Sequence, residues 1–369
     1  MSSETVWELE PHTKAKHEIL VTYLQAWFGI MGSTAFEKRA LVFDGFAGPG
    51  IYRGGQPGSP LLAVQTLLNH SHFDRWDAKE FVFLFNEQDE ARYSSLEDVL
   101  DLQRSALPGH KWPDNVKVHS SNDSFTDLAE RLVGDLEAKG RQLAPTFAFV
   151  DPFGYKDVPL DVIRRLLAFN KCELFIYFDF NSANRFAGKG AGVNHLFEAL
   201  FGCDEFYDAP ATGPERGRFL HDLYERQLKE VCNFAHVRSF RMVHKRGHTN
   251  NYLFFATRNT QAFDRMKYAM WKAAPGGDYS FADRLADQDV LFDESADTTP
   301  LQRALLEQFA GRTVSIEEVV HFVICSTPYH SSHVKRKTLV PMQKAGQIRG
   351  GPNQKKPNQF PDGTLIVFP

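Results

Sequence analysis

Residues 41–50 read Leu-Val-Phe-Asp-Gly-Phe-Ala-Gly-Pro-Gly, an apolar run that meets an acid, Asp44, and then turns sharply through Gly45, Gly48 and Gly50. A run without polar alternation suits a parallel strand buried on both faces. Its carboxyl end then delivers Asp44 and the turn to the crevice where open α/β sheets bind ligands. Glycines at that turn allow positive φ and close approach of the backbone to a ligand. The same letters also fit an ordinary strand-to-loop turn, so the ends of the other strands decide.

Those ends carry polar groups. Residues 80–85 (Glu-Phe-Val-Phe-Leu-Phe) form a second apolar run ending at Asn86-Glu87, and residues 116–119 a third leading to Ser121-Asn122-Asp123-Ser124. Residues 146–150 make a fourth, closed by Asp151-Pro152-Phe153-Gly154, and residues 174–178 a fifth, ending in Asp179-Phe180-Asn181. Helical periodicity marks residues 12–28, 90–102 and 125–136. Ser59-Pro60 reads as an N-cap followed by proline in the first helical turn, opening a helix over residues 59–68. The insertion between Gly50 and Ser59 is either a surface loop or a lid. Residues 238–245 and 251–257 flank Arg246-Gly247-His248-Thr249-Asn250 as an antiparallel hairpin. Alternating strands and helices followed by a hairpin predict an α/β, Rossmann-like sheet, mostly parallel with an antiparallel edge.

The 32 Phe among 369 residues point to a packed globular chain. No apolar run approaches the ~18 residues of a membrane helix, and the polar start lacks the layout of a signal peptide, so the expected compartment is the cytoplasm with no membrane partner. Cys172, Cys203, Cys232 and Cys325 are far apart and form no CxxC pair, which argues against a zinc site or a disulfide framework. Charge is uneven. Residues 301–369 hold nine Lys or Arg against four acids, a local +5 in a chain of net charge −4, so the rest carries −9. Three helical stretches (301–309, 315–324, 331–345) and a closing strand (364–368) predict a winged-helix-like basic module, with Lys335-Arg336-Lys337 on the third helix. Basic residues there would meet phosphate, although the same face also suits a protein-interaction module. The expected division is a sheet domain over 1–285, a linker over 286–300 and the module over 301–369.

These motifs together resemble the three-Cys-motif partner proteins, a bacterial family with a class I S-adenosylmethionine-dependent methyltransferase-like domain. The resemblance spans most of residues 5–285 and rests on His12-Thr-Lys-Ala-Lys16-His17, Asp44-Gly-Phe-Ala-Gly-Pro-Gly50, Gly58-Ser-Pro60, Asp151-Pro-Phe-Gly154 and the helix around residues 266–271. More distantly, the helix and glycine turn are similar to those of bacterial adenine-N6 ribosomal RNA methyltransferases. The resemblance implies an S-adenosylmethionine pocket and a three-Cys-motif partner protein.

It also assigns roles. The methionine part of the cofactor would contact Asp44, Gly45, Phe46, Ala47, Gly48 and Gly50, with Asp44 facing the ammonium group. An acid at the end of the second strand accepts from both ribose hydroxyls, a task that two carboxylate oxygens suit. Glu87 fits, with Asp89 second. Asn122 and Asp123 would receive the adenine amino group, or cap the following helix. Asp151, Pro152, Phe153 and Gly154 stand where amino-directed methyltransferases carry an Asp/Asn-Pro-Pro-aromatic motif that accepts hydrogen bonds from the target amino group and stacks on the base. Alignment and electrostatics then supply most of the rate gain, and the base must be single-stranded or flipped. The motif departs from the pattern: Phe153 replaces the second proline and Gly154 the aromatic residue, with Tyr155 one step later. Lys14, Lys16 and His17 line the expected substrate entrance, the segment Asp179-Phe-Asn181-Ser-Ala-Asn184-Arg185 is a polar loop or a plain turn, and Arg246 and His248 are candidate phosphate contacts.

The expected activity is methylation of an exocyclic base nitrogen such as adenine N6, with RNA ahead of DNA by family analogy. Two alternatives stand beside it: a non-catalytic S-adenosylmethionine-binding adaptor, and a methyltransferase with a protein or small-molecule acceptor.

Overall fold

The computed structural model describes residues 5–35, 37–244, 247–274, 279–282 and 296–369. Residues 286–295 of the expected linker therefore lie outside the described residues. The chain divides into two compact units, Met1–Asn259 with Phe281–Asp287, and Thr260–Ser280 with Gln288–Pro369.

The first unit opens with α1 (Pro11–Ser33), begun by a proline in its first turn, whose fixed φ suits that position. Ile19, Tyr23 and Trp27 alternate with Leu20, Leu24 and Phe28 at helical spacing, and all six are buried. The stripe lies on aromatic side chains of the sheet: Tyr23 on Phe147 and Phe255, and Phe28 on Phe81 and Phe83. Truncating a ring of this kind costs about 3–5 kcal/mol. Next come β1 (Arg39–Asp44), α2 (Ser59–Leu68), β2 (Glu80–Asn86), α3 (Glu90–Ser105), β3 (Val116–Ser121), α4 (Phe125–Ala138) and β4 (Thr146–Val150). Then follow α5 (Leu160–Leu166), β5 (Cys172–Phe178), α6 (Phe180–Phe186), α7 (Ala191–Phe201), α8 (Gly213–Glu230), β6 (His236–Val243) and β7 (Thr249–Thr257).

With β8 (Ser280–Ala282) the strands form one eight-stranded sheet, ordered β3-β2-β1-β4-β5-β7-β6-β8. From β3 to β5 neighbours are parallel; β7 runs antiparallel to both β5 and β6. This is the Rossmann-like sheet with an antiparallel edge hairpin. The order reverses at β1, which sits between β2 and β4, and that switch opens a crevice at the strands' carboxyl ends. The opposite face of the sheet holds a core of Phe43, Phe125, Val150, Ile176, Phe178 and Phe254 with residues of α4, α5, α7 and α8.

The structure revises three sequence expectations. Gly58, not Ser59, is the N-cap of α2, because the Ser59 hydroxyl is engaged elsewhere. The segment after Asp179 is helix α6, with Asp179 as its N-cap accepting from Ser182 N–H at 3.1 Å. The stretch between β4 and β6 also contains α5, α7 and α8, for which the strand pattern assigns no element.

In the second unit, α9 (Thr260–Ala273) precedes α10 (Thr299–Phe309), β9 (Thr313–Ser315), α11 (Ile316–Ser326), α12 (Val340–Lys344), β10 (Arg349–Gly350) and β11 (Leu365–Val367). The small sheet is ordered β10-β11-β9, completing a winged-helix-like module. Ser315 and Glu318 form a reciprocal capping box on α11, an arrangement of about 1 kcal/mol. Lys267 of α9 is fully buried and donates to the carbonyls of Val323, Ile324 and Thr327 at 3.2, 2.8 and 2.8 Å. Its ammonium thus closes the carboxyl end of α11, where helix carbonyls concentrate negative charge.

The third helix of the module is irregular. Pro341 has no N–H for the carbonyl four residues earlier, that of Lys337. Thr298 Oγ donates to that carbonyl instead, at 2.9 Å, and Val334–Leu339 widens into a π turn.

Candidate functional site

Three backbone stitches hold the glycine turn at the switch point. Gly45 N–H donates to Phe149 at 2.9 Å, Ala47 N–H to Asn86 at 2.8 Å, and Gly58 N–H to Gly50 at 2.8 Å. Gly48 and Gly50 are left-handed, with φ of 64° and 74°. A Cβ on Gly58 would stand 3.0 Å from the Gly50 carbonyl, so these two backbones meet only without side chains, whereas a Cβ on Gly48 would face open space. The insertion folds as a small hairpin with a bridge between Ile51 and Pro57. It sets the Tyr52 ring 5.6 Å from His17 of α1.

Asp44 is buried at the end of β1. It accepts from Phe46 N–H at 3.1 Å and from Ser59 Oγ at 2.6 Å. Burial raises its carboxyl to about 7, with nearby Asp151 adding to the rise; the Ser59 and Phe46 bonds and Lys16 oppose it. Neither of these two donors to Asp44 is a cation.

Glu87, at the end of β2, accepts three hydrogen bonds. One carboxylate oxygen accepts from Gly48 N–H at 3.0 Å; the other accepts from Asp89 N–H at 2.8 Å and Arg92 Nε at 3.1 Å. Asp89 is the N-cap of α3. Asn122 donates its amide to the carbonyls of Glu87 and Gln88 at 2.8 and 3.0 Å, which leaves its own oxygen outward. Asp123 is held by Ser121 and by Arg131 at 2.6 Å, a pair that keeps its carboxyl below the usual range. Ser124, not either of these, caps α4.

Beyond β4, Asp151 forms an ion pair with Lys16 of α1. Lys16 and His17 are buried while Lys14 is exposed. Burial, helped by Lys16, holds His17 down at about 3, so its imidazole is neutral. Phe153 is 60% exposed. Its ring meets Trp7 edge-on at 5.3 Å and carries the Arg92 guanidinium at 5.0 Å. Gly154 has φ of 110°, a conformation L side chains rarely adopt. Tyr155 stacks on Phe197 at 4.5 Å and packs against the core. The exposed ring of this loop is therefore Phe153.

The structure brings Asp44, Lys16, His17 and Asp151 together, and adds side chains to which the motifs gave no role. Tyr52 and Tyr177 have their phenol ionisation resisted first by burial and also by Asp151, and Lys16 Nζ lies 5.8 Å from the Tyr177 ring centre. Asn251 of β7 is fully buried beside them. The Ser59 hydroxyl was legible as part of Gly58-Ser-Pro60; Asn251, a lone polar residue in a hairpin strand, carried no signal. An open groove lined by Lys38, Arg39, Asp77, Lys79, Glu80 and Asn115 lies at the amino ends of the strands, the edge opposite this convergence.

In the second unit Arg336 and Lys337 are exposed, and Lys335 pairs with Asp362 at 3.1 Å. Lys344, Arg349, Lys355 and Lys356 are exposed on the same module. His248 is exposed in its hairpin turn, and Arg246 lies outside the described residues. Of the cysteines, Cys172 and Cys232 are buried, Cys203 and Cys325 partly so. No group of His, Cys, Asp and Glu suited to a metal occurs among the described residues, and none of their helices is long and apolar enough to cross a membrane.

Residues 279–350 match the family model of the GMT-like wHTH domain, a module of the kind found in three-Cys-motif partner proteins. No curated protein matches the chain. A Rossmann-like sheet with this winged-helix module is consistent with a class I methyltransferase-like architecture.

Proposed function

We propose that the first unit is an S-adenosylmethionine-dependent N-methyltransferase of the three-Cys-motif partner kind. Its acceptor is an exocyclic amino group of a nucleic-acid base, adenine N6 foremost and RNA ahead of DNA. The observation that carries this reading is the meeting of Asp44 and the Lys16–Asp151 pair at the carboxyl ends of the adjoining strands β1 and β4.

The donor set suits the cofactor. A buried carboxyl raised to about 7 gains most from a cationic neighbour, and the cofactor's methionine end carries an ammonium. The open space at Gly48 is a cradle that a side chain would fill. Gly45, Phe46, Ala47 and Gly50 complete that turn. At the ribose end, Glu87 accepts from Gly48 through one oxygen and from Asp89 and Arg92 through the other, so one ribose hydroxyl joins Gly48 on the first oxygen and the second takes the place of Arg92 on the other. The outward oxygen of Asn122 suits the adenine amino group; Asp123 braces the same turn through Arg131.

When bound, the cofactor supplies an electrophilic methyl group. Asp151 accepts an N–H of the incoming amino group, in place of the Lys16 ammonium, and orients the nitrogen lone pair. Pro152 and the left-handed Gly154 fix the loop, and exposed Phe153 offers a face on which a base stacks. The winged-helix unit contributes phosphate contacts through Lys335, Arg336 and Lys337. A three-Cys-motif protein is the proposed partner.

A non-catalytic adaptor that binds the same cofactor is the second reading. The Arg92 bridge on Glu87 and the glycine in the motif's aromatic position favour it.

The test is transfer of label from methyl-labelled S-adenosylmethionine to separate pools of RNA, DNA and protein, with Asp151→Ala as control. Label in a nucleic-acid pool, abolished in the variant while calorimetric donor binding persists, is expected. Donor binding without label in any pool sinks the catalytic reading in favour of the adaptor.

A further inference from the structure

Asn251 is 0% exposed, and neither its Nδ2 nor its Oδ1 has a hydrogen-bond partner. Leaving both ends of a buried amide unmet costs about 1–3 kcal/mol for each group, and such groups are rare enough to call for an explanation.

Its place supplies one. β7 runs antiparallel to β5, with Tyr177 opposite Leu253 and Phe178 opposite Tyr252. Asn251 therefore lies at the carboxyl end of β5, one step past that pairing, on the edge of the sheet that carries Asp151. Leu253 and Phe255 share its side of the strand by alternation, and Phe255 contacts Tyr23 of α1. Asn251 thus faces the same side as Tyr177 and Lys16. The Tyr177 phenol is the common neighbour: Asp151, Asp179 and the Asn251 amide all act on it, the amide without completing a hydrogen bond. The charged and polar groups around the position are Lys16 from α1, Asp151 after β4, Tyr177 from β5 and Asp179 at the start of α6.

We propose that Asn251 is the specificity-determining residue of the acceptor site, its amide reading a base edge in which an amino group adjoins a ring-nitrogen acceptor. Adenine and cytosine present such an edge; uracil does not. Oδ1 accepts the second N–H of the amino group whose first N–H goes to Asp151, and Nδ2 donates to the ring nitrogen. This is the two-point pairing by which an asparagine amide recognises adenine elsewhere. Access to a fully buried amide requires Lys16 to leave Asp151, and the incoming amino group replaces the N–H that Lys16 withdraws. The proposal rests on the N-methyltransferase reading and adds to it the residue that selects the base.

The experiment uses the full chain and short oligouridylates carrying a single adenine or a single cytosine. Each is compared with its deaza counterpart, in which the neighbouring ring nitrogen is C–H (1-deaza or 7-deaza for adenine, 3-deaza for cytosine). Binding is read by fluorescence anisotropy without donor, and methyl transfer with it. For the preferred base, the wild-type chain should bind the relevant deaza probe about 5- to 150-fold more weakly, the range of one two-point contact. Asn251→Asp, which offers no donor, should lose the same factor toward the parent base while donor affinity stays unchanged. Equal binding of parent and deaza probes overturns the proposal even if the variant fails to fold, as does a folded Asn251→Asp that retains wild-type preference. Deaza discrimination without transfer upholds Asn251 and removes the methyltransferase reading; no binding and no transfer remove both.

Discussion

Lys16 and Lys267 are both buried, and so are the carboxyls of Asp44 and Glu173, yet the two pairs sit in different kinds of place. Lys267 and Glu173 are sealed among partners of their own: the ammonium takes three carbonyls at the end of α11, and Glu173 accepts from the Tyr23 hydroxyl of α1. Lys16 and Asp44 instead lie beside each other and beside Asp151, whose side chain keeps 22% of its surface open. A buried charge alone does not mark a site, since structural networks bury charges too. What separates the two pairs is that charges at the sheet's carboxyl edge share neighbours near solvent, so a ligand can change their balance.

That contrast is most exposed to failure at the lysines. Lys267→Met should strip the carbonyls of Ile324 and Thr327 of their donor, Val323 keeping the Thr327 hydroxyl, and lower the stability of the second unit by about 3 kcal/mol, whereas Lys16→Met, whose partner Asp151 is partly open to solvent, should cost less than about 1 kcal/mol. Thermal melting of both variants reads the difference, and equal losses would erase it.

The carboxyls give the next test. Burial raises Glu173 to about 8, so its folded-state value lies above its unfolded one. Its contribution to stability is full below the unfolded value and is lost as pH rises through about 8. Between pH 7 and 9 the wild-type chain should lose about 1–2 kcal/mol from this group, and Glu173→Gln should flatten that slope. Asp44 has the same sign, with stability draining as pH rises through about 7. Here, however, a cationic ligand favours the ionised form. S-adenosylmethionine should bind up to about ten-fold more tightly at pH 8 than at pH 6 and release a proton, seen by calorimetry in buffers of different ionisation heat. Asp44→Asn should weaken binding and remove the pH dependence; a flat wild-type profile would detach Asp44 from the ligand.

The smallest effect concerns the winged-helix unit. Replacing Arg336 and Lys337 together by alanine should lower nucleic-acid affinity a few-fold and reduce the salt slope by about one for each phosphate no longer neutralised. An unchanged slope would leave the basic helix as a solvated face.

The sheet was legible because β1, β2, β4 and β5 are near-continuous apolar runs and each ends in a turn with its own punctuation. The helices of the hairpin side were less so. α5 and α6 span 7 residues each, too short for helical periodicity to stand out. α8 did carry a readable stripe, Leu220, Leu223, Tyr224, Gln227 and Leu228, which the strand pattern around it hides. At the site, Asp44 and Asp151 follow from strand ends, which are local. The bonds that define their states do not: Ser59 on Asp44, Lys16 on Asp151 and Arg92 on Glu87 join segments whose proximity only the folded sheet creates. A seryl hydroxyl spent on Asp44 is also why the cap of α2 passes to Gly58.

The π turn over Val334–Leu339 has a further effect on the chain's surface. A turn closed five residues on, instead of four, holds roughly one residue more than the α-helix it interrupts, and each residue turns the helix by about 100°. The turn therefore works as a phase shifter, setting where the Lys335-Arg336-Lys337 triplet points relative to Val340–Lys344. Tightening it to a regular spiral with all six residues kept would rotate the following side chains by about that angle, whereas deleting one residue would leave Val340–Lys344 nearly in phase. The direction in which the basic stripe faces thus hangs on how six residues wind, and not only on their charge.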